Sequence, residues 1–237
     1  MNDIMQFGPV NNYGPDSITS QGNSGHQTIG RTSHTTVQPP GSAAPEPQDA
    51  VPGRPAPPAD KARNVFMVYG RDEEVRREMF GLLRKLDLHP LEWEDLVQAT
   101  GQTAPFLGDV VALAPAQAQA ALVLLTPDDQ VRLHADLVAE NDPEYERWLI
   151  GQARPNVLLE LGMVLMAYPG RTLIVEIGHL RPIADLGGRN VIRFDGTEVA
   201  VGKIVQRLKD AGCKVNDAGS DWREIWPYRG LSAYRRS

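Results

Sequence analysis

The chain has 237 residues, 41% hydrophobic and 23% charged, which suits one globular domain of ordinary size with additional segments. Its net charge of −6 excludes a general nucleic-acid binder, which needs a basic stripe, and leaves room for a small anion held locally. A lone cysteine, Cys213, excludes an internal disulfide or a cysteine zinc cluster. The longest apolar stretch, around Val157 to Tyr168, is broken by Glu160 and too short to span a bilayer. With no secretory pattern at the N-terminus, a cytoplasmic protein without membrane contact is expected.

Three segments are predicted: a tail and linker over 1–62, a folded domain over 63–215 and a C-terminal extension over 216–237. The first 60 residues contain no Leu, Trp or Lys. They are rich in Asn, Gly, Ser, Thr and Gln through Val37, then in Pro and Ala from Pro39 to Pro58, so they bury too little to offset the entropy of ordering. A disordered tail is expected. Its Ile18, Gly22, Gly25, Ile29 and Gly30 lie in the kind of polar background from which strands of several chains can stack.

From residue 64 on, short β-rich runs alternate with helical patterns, the arrangement that builds a parallel sheet covered on both faces. Asn64 to Tyr69 reads as a strand ended by Gly70, and Glu73 to Leu86 as a helix with acidic residues in its first turn. Pro90 to Glu94 reads as a second strand, Thr103 to Leu113 as a helix, and Ala120 to Leu125 as a strand buried on both faces. A charged insertion from Asp128 to Arg147 follows. Arg154-Pro-Asn156 opens a helix to Tyr168. Thr172 to Ile177 and Asn190 to Phe194 are the last strands, and Val199 to Asp210 the last helix. The fold class is therefore α/β: a flavodoxin-like, doubly wound, five-stranded parallel sheet of order 2-1-3-4-5.

In such a sheet, ligands gather at the carboxyl ends of the strands. That edge carries Tyr69, Gly70, Arg71 and Asp72 after the first strand, Trp93, Glu94 and Asp95 after the second, Thr126, Asp128 and Asp129 after the third, and Gly178 and His179 after the fourth. Gly70 permits close approach of a ligand, the amides after it can seat a phosphate, and Arg71 adds a fork of donors. The most informative residue is Glu160, an acid among Leu158, Leu159, Leu161, Met163 and Val164, where an ionised carboxylate is costly unless compensated. Facing a cleft, it can stabilise developing positive charge on a ribose or hold ribose hydroxyls, with Asn156 four residues earlier on the same helix face. A plain structural alternative is an ion pair with Arg154. The five histidines show no metal-ligand spacing, and no metal is expected.

Three segments together carry a family likeness: Asn64-Val-Phe-Met-Val-Tyr-Gly-Arg-Asp72, Leu122-Val-Leu-Leu-Thr-Pro-Asp-Asp129 and Arg154-Pro-Asn-Val-Leu-Leu-Glu-Leu-Gly162. The region from Asn64 to Gly212 resembles the bacterial TIR-like predicted nucleotide-binding family, the TIR domain of anti-phage effectors activated by cyclic nucleotides. The resemblance implies cleavage of NAD+ at the nicotinamide–ribose bond, with Glu160 catalytic and Tyr69, Gly70, Arg71, Asp72, Asp128 and Asn156 binding the substrate. It implies no cofactor other than NAD+ as substrate. One departure is visible: of the family's Pro-Asn-x-Gly-x-Thr turn after the second strand, only Gly101 and Thr103 remain.

The resemblance also implies a domain that is silent until it assembles. A homo-oligomer formed on activation is expected, driven by the N-terminal segment or by an upstream sensor or cyclic-nucleotide signal. Two rivals stay open: a non-catalytic nucleotide-binding or adaptor module, and a nucleoside ribosyltransferase-like enzyme. A two-component receiver is excluded, because Asn190 to Thr197 offers no lysine after the fifth strand.

Overall fold

The computed structural model describes residues 60–236, so the expected tail and its strand-stacking positions lie outside the described residues. After a 3-10 turn at Lys61–Arg63, β1 (Asn64–Val68) is buried along its whole length. The helix α1 (Glu73–Lys85) starts where Asp72 Oδ1 accepts from the Val75 amide at 3.0 Å, with Glu73 and Glu74 at the positive end of the helix dipole.

β2 (His89–Leu91) is shorter than its sequence suggests, and Trp93 opens a helix, α2 (Trp93–Thr100), instead of continuing the strand. The reason is local. Asp95 Oδ2 reaches back to accept from the Glu92 amide at 2.7 Å, a helix start, and the Trp93 ring packs on Phe66 with centroids 6.4 Å apart. The next helix, α3 (Leu107–Gln117), begins later than the expected Thr103, because Pro105 biases the residue before it away from helical backbone.

β3 (Ala120–Leu125) is wholly buried. The charged insertion after it is not a bare loop: β4 (Asp129–Val131) and β5 (Ile150–Gln152) pair antiparallel as a separate ladder, with α4 (Glu144–Arg147) between them. Arg147 donates to the Ala139 carbonyl at 3.0 Å, and Arg181 pairs with Glu146, so charge on this insertion ties it down. The chain continues through α5 (Pro155–Ala167), β6 (Thr172–Ile177), β7 (Ile192–Phe194), α6 (Glu198–Asp210) and α7 (Trp226–Arg229).

The main sheet has the order β2-β1-β3-β6-β7 with every pair parallel, the flavodoxin-like arrangement read from the sequence. Strand periodicity splits the core into two faces. Val65, Met67, Leu122 and Leu124 pack with Val75, Met79 and Leu83 of α1 and with Val201, Ile204 and Leu208 of α6. Phe66, Val68, Val123 and Leu125 pack with Val110 and Ala114 of α3 and with Val157, Leu161 and Val164 of α5. Among the described residues, no helix is long and apolar enough to cross a membrane.

The segment from 216 on, set apart in the sequence as an extension, belongs to the first of these faces through Trp222, Tyr228, Leu231 and Ala233. It crosses the carboxyl edge of the sheet as a strap, and two glycines make room for it. A Cβ on Gly178 (φ +86) would lie 2.3 Å from the Ala233 carbonyl oxygen, and one on Gly196 (φ +76) 2.6 Å from that of Tyr228. Further on, the Ser232 amide donates to Glu74 Oε2 at 2.8 Å, which ties the strap to α1.

Candidate active site

The strand order reverses between β1 and β3, and a crevice of about 390 Å³ opens there at the carboxyl ends of the two strands. It is lined by Arg71, Asp72, Glu73 and Glu74 from the start of α1, by Pro127 and Asp128 after β3, and by Arg236 of the strap. Gly70 is dictated by Asp128. A Cβ there would fall 1.8 Å from Asp128 Oδ2, which accepts from the Arg71 amide at 2.7 Å while Oδ1 accepts from the Thr126 hydroxyl at 2.8 Å. The amide expected to seat a phosphate is thus already answered by a carboxylate of the protein. Gly70, Arg71, Asp72 and Asp128 are brought together, as the sequence implied.

Tyr69 stands apart from that lining. Its hydroxyl donates to Glu92 Oε2 at 2.7 Å, and its ring meets Phe80 edge-on. The Arg76 guanidinium lies 5.3 Å from the ring centroid and pairs with Glu92 at 2.9 Å. Burial is the main cause that raises the Tyr69 pKa, with Glu92 adding to it, so the phenol stays protonated. This group braces the ends of β1 and β2.

On α5, Pro155 occupies the first turn, where a missing amide costs nothing, and Val157, Leu161 and Val164 form the buried stripe. Glu160 falls three residues after Val157 and four before Val164, so helical geometry sets it on the edge of that stripe. It is half-buried, and among the described residues it makes no ion pair or hydrogen bond, with Arg154 or with any other group. Burial alone pushes its pKa up from the ordinary 4.5. Asn156 is exposed one turn earlier, on the same side of the helix. Neither residue lines the crevice beside Asp72.

A larger open depression of about 1180 Å³ runs beside β6 and β7, past Gly178 and His179 of the expected edge, Arg189 and Tyr234, and contains none of the residues that the resemblance gives to the substrate. Position relative to the strand-order reversal, rather than size, favours the smaller crevice. Among the described residues, no three His, Cys, Asp or Glu side chains are grouped to hold a metal ion.

Residues 64–196, from β1 to just past β7, match the family described as CAP12/Pycsar effector protein, TIR domain. The chain belongs to this family. No curated protein matches it. The TIR domain therefore comprises the sheet, α5 and the crevice walls from α1 and the end of β3, and the protein is a TIR-type effector of the anti-phage class. The match stops short of α6 and the strap, so Arg236 comes from outside it. Sequence reasoning missed Arg236 and Ser232, because nothing local marks them. Their partners, Asp72 and Glu74, lie at the other end of the TIR domain, and only the fold brings the two ends together.

Proposed function

We propose that this TIR effector is an NAD+ nucleosidase in which Glu160 stabilises the ribosyl cation formed as nicotinamide departs. The observation that supports this reading most is the state of Glu160: half-buried, raised in pKa and, among the described residues, without an ion pair or hydrogen bond. A carboxylate bound by an arginine has already spent its field on that partner, whereas a bare one still has its full attraction for a cation that exists only in the transition state.

The chemistry balances without a cofactor. The bond between C1′ of the ribose and the pyridinium nitrogen breaks, and its electron pair leaves with the nitrogen, so nicotinamide departs neutral. C1′ takes up positive charge, a water oxygen bonds to it from the open face, and the surplus proton passes to solvent. The products are nicotinamide and ADP-ribose. Glu160 acts in its ionised form, so turnover should fall as the pH drops through its raised pKa, with an acid limb above 4.5.

The proposal extends to substrate binding by Gly70, Arg71, Asp72 and Asp128 at the crevice, with Asn156 beside Glu160. It also extends to activation by assembly, under an upstream sensor or cyclic-nucleotide signal. Assembly has physical support in α5, which is apolar nearly all round: Leu159 is 62% and Met166 84% exposed on its outer side. A second reading, a non-catalytic nucleotide-binding module, is favoured by the separation of Glu160 from the crevice lining.

Incubating concentrated full-length protein with NAD+ and measuring nicotinamide by chromatography decides between them. Release by the wild type that disappears in Glu160→Ala supports the nucleosidase. A wild type that binds NAD+ and releases nothing leaves the binding module.

A further inference from the structure

Arg236 lies beyond the segment that matches the family, yet it forms part of the crevice wall. We propose that Arg236, oriented by Asp72, binds the diphosphate bridge of the dinucleotide together with Arg71, so that the C-terminal strap completes the substrate site. This rests on the NAD+ reading of the crevice given above.

The groups at the crevice differ in whether they already have partners. Each carboxylate does. Asp72 has the Val75 amide at 3.0 Å and the Arg236 guanidinium at 2.7 Å. Glu73 pairs with Arg76 at 2.9 Å, Glu74 accepts from the Ser232 amide at 2.8 Å, and Asp128 accepts from the Arg71 amide and the Thr126 hydroxyl. A cation entering here would have to displace a donor already in place.

The guanidinium groups, by contrast, keep donors to spare. The Arg71 side chain makes no ion pair or hydrogen bond among the described residues. Arg236 carries five N–H donors in a planar fork. Among the described residues, only Nη2 makes a directed hydrogen bond, to Ser232 Oγ at 2.7 Å. Nη1 approaches Asp72 Oδ2 at 2.7 Å as an ion pair, but that oxygen takes no hydrogen bond of good angle. The uncommitted polar groups at the crevice are therefore cationic donors, and two forks of this kind match the oxygens of a diphosphate.

Burial fixes the geometry. The Asp72 side chain is 2% exposed and that of Arg236 39%, so a buried anion holds the guanidinium from behind while its outer edge meets water. The strap leading to it is anchored by Tyr228, Leu231 and Ala233 in the core and by the close passes at Gly178 and Gly196. Arg236 is thus placed before any ligand arrives, which lowers the entropy lost on binding. A crevice of about 390 Å³ holds a diphosphate with part of its attached sugars.

The test uses the full chain with two probes: ADP-ribose, which carries the diphosphate, and nicotinamide riboside, which lacks it. In calorimetry, Arg236→Ala should weaken ADP-ribose about tenfold to a hundredfold, the size of a lost charge-assisted contact, and leave nicotinamide riboside unchanged. In turnover, the same variant should raise KM for NAD+ with little change in kcat. Arg236→Lys should recover part of the ADP-ribose affinity, because it restores the charge without the fork. Asp72→Asn should weaken ADP-ribose less than Arg236→Ala does, since it frees the guanidinium without removing it. The double variant Asp72→Asn with Arg236→Gln leaves no buried charge alone and retains a capping acceptor. It should fold and show the same loss for ADP-ribose.

Wild-type affinity for ADP-ribose in the double variant overturns the proposal. So does a wild type that fails to bind ADP-ribose, or an Arg236→Ala protein whose turnover rises at unchanged KM, which would make Arg236 an obstruction. A wild type that binds ADP-ribose through Arg236 but releases no nicotinamide sustains this proposal and ends the nucleosidase reading. NAD+ hydrolysis with KM indifferent to Arg236 does the reverse.

Discussion

Asp72 at the start of α1 and Glu160 in the second turn of α5 are both carboxylates withdrawn from water, and the protein treats them oppositely. Asp72 is surrounded by donors: an amide of its own helix and a guanidinium carried in from the far end of the chain. Glu160 has aliphatic neighbours in sequence and, among the described residues, no donor, and burial raises its pKa. The first arrangement is architectural, since removing either partner leaves the other stranded. The second costs stability, and on the nucleosidase reading proposed above the bare charge is kept for the cation formed in turnover. Burial alone therefore does not set the state of an acid; the presence or absence of a partner does.

The comparison can be broken first at the strap that delivers Arg236 to Asp72. Gly178→Ala sets a Cβ 2.3 Å from a backbone carbonyl oxygen at a φ of +86, where neither side can yield cheaply. It should cost about 3 kcal/mol or more in urea unfolding, the largest effect expected here. Asp72→Ala comes next. It removes the cap of α1 and the partner of a guanidinium that water reaches in part, for about 2 kcal/mol together; Asp72→Asn, which keeps the cap, should cost less than half of that.

Glu160→Gln should act in the opposite direction. Because the folded pKa is raised, folded Glu160 holds its proton where unfolded Glu160 has lost it, so wild-type stability falls as the pH climbs from 4.5 through the raised value. Glutamine escapes that penalty. Its melting temperature should exceed wild type by about 2 °C at pH 7, with the gain vanishing below about pH 4. An equal or lower melting temperature at pH 7 would mean that Glu160 has a partner after all. The smallest effect is expected for Arg193→Ala. That side chain is 91% exposed and meets Glu176 only at 3.7 Å, so unfolding should shift by less than about 0.5 kcal/mol.

Much of the fold was legible from the chain alone because its signals are local. The continuous apolar runs of β1, β3 and β6 and the stop at Gly70 fix the strands, and right-handed crossovers then leave few orders. The second strand was read too long because Trp93, a residue that favours strands, is drawn into a helix start by Asp95 and by packing on Phe66. The β4 and β5 ladder was missed because three-residue strands in a charged stretch carry no period to read.

The site divides along the same line. Gly70, Arg71, Asp72 and Asp128 follow strand ends, so the sheet topology alone gathers them. Glu160 was conspicuous as one acid in an apolar helix. Arg236 could not be seen, because its meaning depends on a buried partner at the opposite end of the domain and on the two glycines that let the strap pass.

The most direct measurement pairs turnover with melting in one variant, Glu160→Gln, at pH 7. The expected result is a protein that melts above the wild-type temperature and releases nicotinamide from NAD+ at least about a hundredfold more slowly, the usual loss when one preorganised electrostatic contact is removed. Nicotinamide release equal to that of the wild type, in a variant that melts as predicted, would contradict it.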